Sequence, residues 1–343
     1  MDNRARDWHP ETLFLVAALS EQIGIEDLVP RSVAVDAFQR STRLAEWAAR
    51  HKLIGPVADL ARQLDLPHER LKALHQQSAL NAMRTAAFSG EAFEVLREAG
   101  CHPLLIKGVV LAVITGDSVV GRGAGDVDIA VAPREIPAAL DAFREVGAVV
   151  TTSPEVNWRM HAVNLQWGGT HIDLHHRFDK SPYIGVSFDA LWERGMNVDI
   201  AGHPVRTLSL ADTTIHAAVH AGMDTWSQLG RIADFQRLQA KVDPDDLERA
   251  AREWGGQHLL SVARAVLRRV AGGQPERPIA EALARQAWLW LAQGRQLRLD
   301  QDDKSRYERE GFRIAATGSA RFVAWTLLRN STRPWDHTTD WAS

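Results

Sequence analysis

Two aspartates one residue apart, Asp126 and Asp128, open a short apolar run, Asp126-Val-Asp-Ile-Ala-Val-Ala132. In an extended chain alternate side chains share a face. Val127, Ile129 and Val131 then face one way and the two carboxylates the other, about 7 Å apart along the strand. Aspartate is depleted in strands, and like charges at that spacing repel unless a cation or solvent screens them. Two readings follow from the pattern alone. The carboxylates border a solvent-exposed strand, or they hold a divalent cation such as Mg²⁺, which takes one or two carboxylates together with substrate phosphates.

A second element downstream repeats the design. Ala162–Trp167 and Thr170–His176 flank Gly168-Gly169, a pair suited to the positive φ angles of a two-residue hairpin turn. With those glycines as the turn, Trp167 pairs with Thr170, Leu165 with Ile172 and Asn164 with Asp173. One face then carries Val163, Leu165, Trp167, Ile172 and Leu174, and the other Asn164, Gln166, His171, Asp173 and His175. Three carboxylates on one sheet face would make room for two ions about 3.5–4 Å apart, if strand order brings Asp173 to the other two. His171, Asp173, His175 and His176 also invite a zinc reading. No cysteine is near, however, and the other donors are oxygens.

Pro103–Ile114 supplies a third piece: an apolar strand ends in Lys107-Gly108 and runs into an apolar helix. A glycine there lets an anion approach the free N–H groups of a helix start, and Lys107 adds a point charge. A plain turn glycine accounts for the same residues. Farther on, His216 and His220 lie four apart and share a helix face, as a buried hydrogen-bonded pair or as the lining of a pocket. Trp226, Trp288, Trp290, Trp325, Trp335 and Trp341 read as core of a helical tail. Gly121-Arg-Gly-Ala-Gly125 is not a dinucleotide loop, because that motif opens a helix and here a strand follows.

The elements that must position these residues fall into three regions. Residues 1–99 read as helices (Glu11 to Gln22, Ser32 to His51, and Pro67 to Ala99 with a break near Ser89-Gly90). Residues 100–205 read as strands at His102–Lys107, Asp126–Ala132, Glu145–Thr152, Ala162–Trp167 and Thr170–His176, with a helix from Pro133 to Arg144. Residues 206–343 turn helical again from Pro204, with breaks at Pro244, Gly255-Gly256 and Gly272-Gly273. The fold class is α+β, a small mixed β-sheet core flanked by N-terminal and C-terminal helical regions. The chain has 343 residues, 45% hydrophobic and 24% charged, the composition of a soluble globular protein of about two domains.

With 40 Lys and Arg against 43 Asp and Glu, the net charge of -3 argues against a broad nucleic-acid surface. Only six of those 40 cations are lysine, and Arg264–Arg269 and Arg295–Arg313 are places where arginine could form a local groove. The one cysteine, Cys101, allows no intrachain disulfide, which suits a reducing, cytoplasmic setting. No apolar run approaches the roughly 18 residues of a membrane span.

Taken in order, Lys107-Gly108, Arg122, Asp126-Val-Asp128-Ile and Ile172-Asp173-Leu174-His175 resemble the uncharacterised nucleotidyltransferase family of the DNA polymerase β-like superfamily. The resemblance spans residues 95 to 240 and takes in a tail of His216, His220 and Asp234, with Trp226 and Arg231 between. It implies transfer of a nucleoside monophosphate from an NTP to an acceptor hydroxyl, with pyrophosphate leaving. It implies that Asp126, Asp128 and Asp173 hold two Mg²⁺ ions, with Mn²⁺ as a substitute, and that Asp173 takes the acceptor's proton. Lys107, Gly108 and Arg122 would bind the triphosphate; Asn164, His175, His216 and His220 would line the acceptor pocket. Val109 stands where many superfamily members place a serine, which removes a hydroxyl contact to phosphate. The near-neutral charge ranks a small-molecule acceptor first. A toxin-like enzyme acting on tRNA or protein, and a nucleotide-binding scaffold without catalysis, are the rival readings.

Overall fold

Apolar residues at helical spacing make the N-terminal region a set of helices: α1 (Pro10–Gln22), α2 (Arg31–Arg40), α3 (Leu44–Arg50), α4 (Ile54–Gln63) and the 30-residue α5 (Glu69–Glu98). The computed structural model describes residues 9–24, 29–116, 118–122, 125–152, 161–178, 186–270, 282–287, 311–313 and 315–317. The helix expected from Ser32 to His51 is divided. Glu11, buried on α1, accepts the backbone N–H groups of Thr42 and Arg43 at 3.0 Å each and so caps the start of α3. The break expected near Ser89-Gly90 is absent. Ser89 Oγ donates to the Thr85 carbonyl at 2.7 Å within the helix, and Gly90 is required for a close approach, since a Cβ there would overlap the His203 ring.

Seven strands form one mixed sheet: β1 (Leu104–Ile106), β2 (Asp126–Ala130), β3 (Val149–Val150), β4 (Ala162–Trp167), β5 (Thr170–His175), β6 (Met196–Ile200) and β7 (His203–Thr207), in the order β3-β4-β5-β2-β1-β7-β6. The β4–β5 hairpin has the register read from its glycine pair, with Asn164 opposite Asp173 and Trp167 opposite Thr170. The β6–β7 hairpin lay outside the expected strands, and helix was expected to resume at Pro204. Pro204 instead sits inside β7, and the helix starts at Leu210. β7 is registered against β1 only at Leu105 opposite Thr207, so a proline at 204 costs no ladder bond to β1. The strand expected over Glu145–Thr152 shrinks to Val149–Val150 because Glu145 closes a helix.

Between and after the strands lie α6 (Gly108–Thr115), α7 (Val119–Arg122), α8 (Ile136–Glu145), α9 (Phe188–Glu193), α10 (Leu210–Met223), α11 (Leu229–Gln239), α12 (Pro244–Trp254) and α13 (Gln257–Val270). One sheet face is apolar. Leu105, Val127, Ile129, Leu165, Ile172 and Leu174 pack there with Phe93 and Leu96 of α5, Val110 of α6 and Phe143 of α8. Lys241 Nζ donates to the carbonyls of Ile114 and Thr115 at 2.9 and 2.8 Å, closing the C-terminal end of α6.

The chain divides into two compact units. One comprises Met1–Pro67, Ala218–Gln236 and Gly256–Ser343; the other comprises His68–Ala217 and Arg237–Gly255 and contains the whole sheet. Within the first unit His51 caps α11: its Nδ1 accepts the Leu229 N–H at 3.2 Å and its carbonyl accepts the Gly230 N–H at 3.0 Å. That bond needs a neutral imidazole. Burial, aided by Arg50, lowers its pKa from 6.5 to about 4. No helix among the described residues is long and apolar enough to cross a membrane. Trp288, Trp290, Trp325, Trp335 and Trp341 and most of Arg295–Arg313 lie outside the described residues.

Candidate active site

The polar sheet face is assembled by the parallel pairing of β2 with β5. Asp128 stands opposite Asp173, Asp126 opposite His171, and Ala130 opposite His175. On the far side of β5, Asn164 of β4 is opposite Asp173. Strand alternation, legible in each segment, thus delivers its polar residues to one shared surface. Asp128, Asp173 and His175 bring one donor atom each to within 4.8 Å of one another. Asp126, half-buried at the start of the strand, falls outside that trio.

Asp128 is the buried carboxylate. Its Oδ1 accepts from Lys107 Nζ at 2.8 Å and lies 2.9 Å from His175 Nε2, which as the neighbour of an anion carries its proton on that nitrogen. Burial pushes the carboxyl pKa up, but the Lys107 ammonium and the His175 hydrogen bond outweigh it and hold the group well below the usual carboxylate range. Asp173 is the more exposed of the pair, at 24% against 6%. Its Oδ1 accepts from Asn164 Nδ2 at 2.6 Å and lies 3.0 Å from His171 Nε2.

Lys107 and Gly108 form the β1–α6 junction expected from sequence, and both have positive φ, +53° and +36°. A Cβ on Gly108 would lie 3.5 Å from the Asp126 carbonyl, so space does not forbid a side chain, but the φ disfavours one. Arg122 ends α7, and its side chain lies outside the described residues.

His216 is buried on α10. It stacks on Trp254 at 5.7 Å and meets the edge of Phe178 at 5.7 Å. Burial first, and the neighbouring Lys107 and His175 next, lower its pKa to about 3, so this ring is neutral at physiological pH. Behind it the Trp254 indole N–H donates to Asp212 Oδ1 at 2.8 Å, and Arg194 grips both Asp212 oxygens at 2.7 Å. This support was not anticipated. Its only sequence trace is Ser209-x-x-Asp212, a capping-box pattern at the start of α10, where Ser209 Oγ donates to Asp212 Oδ2 at 2.5 Å. His220, one turn beyond His216, belongs to the other compact unit, where Arg231 Nη1 donates to its carbonyl at 3.4 Å.

A mixed sheet that sets paired carboxylates on one face, beside a Lys-Gly strand-to-helix junction, defines a nucleotidyltransferase core. The model of the family described as uncharacterised nucleotidyltransferase matches residues 39–272, and the chain belongs to that family. The match extends on both sides of residues 95 to 240, the segment that carries the resemblance in the sequence. The chain is also similar to the solution structure of the antibiotic-resistance factor ANT(2'')-Ia. The two are 12% identical with a TM-score of 0.39, over 52% of this chain and 95% of that one. No curated protein matches the chain.

Proposed function

We propose that this nucleotidyltransferase is a cytoplasmic enzyme that transfers a nucleoside monophosphate from an NTP to a hydroxyl of a small molecule and releases pyrophosphate. The observation that carries this reading is the pairing of Asp128 with Asp173 across parallel strands, with the Lys107 ammonium 2.8 Å from Asp128. A donor set of two carboxylates beside an imidazole fits Mg²⁺ or Mn²⁺ better than a sulfur-seeking ion. Asp128 and Asp173, with Asp126 at the strand start, would hold two such ions. Bound there, they supply positive charge to the triphosphate and lower the pKa of the attacking hydroxyl.

The chain's own residues do the rest. Gly108 lets the triphosphate approach the backbone N–H groups at the start of α6, and Lys107 and Arg122 neutralise it. With Val109 in place of a hydroxyl residue, phosphate contacts at that turn fall to the backbone. Asp173, the more solvent-open carboxylate, accepts the acceptor's proton as the hydroxyl oxygen bonds to the α-phosphorus and the bond from that phosphorus to the bridging β-phosphate oxygen breaks. Asn164 and His171 aim the carboxylate, while His175 fixes Asp128 and, with His216, shapes the acceptor side. The near-balanced charge supports a small acceptor over RNA.

The test is a pyrophosphate-release screen with each of four NTPs and Mg²⁺, against small hydroxyl acceptors and bulk tRNA. Release with a small acceptor is expected, and Asp128→Asn should lower it by about a thousandfold or more, the several kcal/mol that a lost ion ligand removes. Release only with tRNA moves the acceptor to RNA. No release under any condition favours the scaffold reading.

A further inference from the structure

Strand alternation should send Lys107 to the apolar face. Ile106 is registered against Asp128 and Leu105 against Ile129, so an extended residue 107 would follow Leu105 toward the core. It does not. At φ +53° and ψ -147° its backbone adopts a conformation that favours glycine and is costly for any residue with a Cβ. This reversal carries the side chain to the polar face, where Nζ stands 2.8 Å from Asp128 Oδ1 and 3.4 Å from His175 Nε2.

The consequence lies in what that oxygen can still accept. Asp128 Oδ1 already takes Lys107 and His175, and the pair is shielded, with side chains 16% and 6% exposed. A divalent ion binding the same oxygen at about 2.1 Å would stand only a few ångströms from an ammonium in a site where water screens poorly. Lys107 and the ion therefore compete for one carboxylate. A triphosphate offers the ammonium another anion at the same junction.

We propose that Lys107 makes this site select its metal as the nucleotide complex. On Asp128 the ammonium turns away a lone divalent cation; drawn onto the triphosphate, it releases Asp128 to the ion that arrives with the nucleotide. The inference rests on the nucleotidyltransferase reading above and adds an order of binding to it. The backbone reversal at residue 107 is what gives the side chain access to both anions, because it aims the lysine from the start of α6 across the sheet's polar face.

The test is direct Mn²⁺ binding to the full chain, read as loss of the free aqueous ion's paramagnetic resonance signal. It is run with and without the non-hydrolysable α,β-methylene analogue of each NTP. The wild type should bind Mn²⁺ about tenfold or more tightly with its analogue than without. Lys107→Met and Lys107→Gln should bind Mn²⁺ alone about tenfold more tightly than the wild type and lose most of the analogue's enhancement. Lys107→Arg should keep the wild-type coupling. The glutamine variant keeps an N–H donor for Asp128, so it serves if the methionine variant does not fold, and circular dichroism checks both. If folded Met or Gln variants bind Mn²⁺ alone no better than the wild type while the analogue still recruits the ion, Lys107 is not a selector and the nucleotidyltransferase reading stands. If no protein binds Mn²⁺ with any analogue, that reading falls and this inference with it.

Discussion

Asp128 and Asp173 are chemically identical side chains placed in register, yet their surroundings differ. Asp128 is buried and held ionised by a cation and an imidazole, the state needed to ligate an ion. Asp173 is more open and held by an amide and a second imidazole. Asp173→Ala should therefore cost the chemical step more than NTP binding; single-turnover rates and NTP affinity would separate the two, and equal losses would demote it from proton acceptor. Asn164→Ala should act through Asp173, lowering kcat by about tenfold with the NTP KM nearly unchanged, as expected for lost orientation of one catalytic group. An effect confined to KM would place Asn164 in binding alone. This arrangement was only partly legible in the sequence. Alternation exposed the paired polar faces, and the glycine pair exposed the hairpin register. That Lys107 faces Asp128 contradicts simple alternation, because it depends on a left-handed φ that lysine does not advertise.

At the scale of elements, close approach matters more than propensity. Gly90 lies mid-helix, where glycine is a poor helix former, and reads as a break. It is instead the place where α5 admits the His203 ring of β7. Gly90→Ala should destabilise the sheet-bearing unit by roughly 1–3 kcal/mol through overpacking. His203→Ala on that background should recover most of the loss, measured by urea midpoints at constant m value. No recovery would mean that the cost lies elsewhere than this contact. Glu11 teaches the same lesson in the other unit. It stands in the first turn of α1, and its carboxylate caps α3, 31 residues on. Glu11→Ala should cost about 1–2 kcal/mol, as a lost cap with two part-buried amides left without their acceptor. The β6–β7 hairpin escaped the sequence reading because Asn197, Asp199 and Pro204 are poor strand formers tolerated at a sheet's edge.

For the whole molecule, the buried histidines set the response to acid. His51 and His176 are lowered to about 4 and His216 to about 3, each chiefly by burial. The unfolded chain binds protons at these positions near pH 6.5 and the folded chain does not. Their contribution to stability is thus full above about pH 6.5 and is lost as the pH falls toward 4. His51 alone accounts for about 3 kcal/mol across that window. Urea unfolding between pH 7 and 4.5 should show the decline. His51→Gln, which keeps an acceptor for the Leu229 N–H, should flatten it; an unchanged slope would remove His51 from this role.

Local chemistry was readable along the chain: which residues alternate, where the glycine turn sets a hairpin register, and the ordered motifs that mark the family. These follow from backbone geometry over a few residues. The tertiary structure alone decided that β2 lies parallel beside β5, that Lys107 shares an oxygen with His175, and that Asp212 stands behind Trp254 and His216. Those juxtapositions join residues 21 to 68 positions apart. They depend on burial and packing, which cost and reward partners that no local pattern connects.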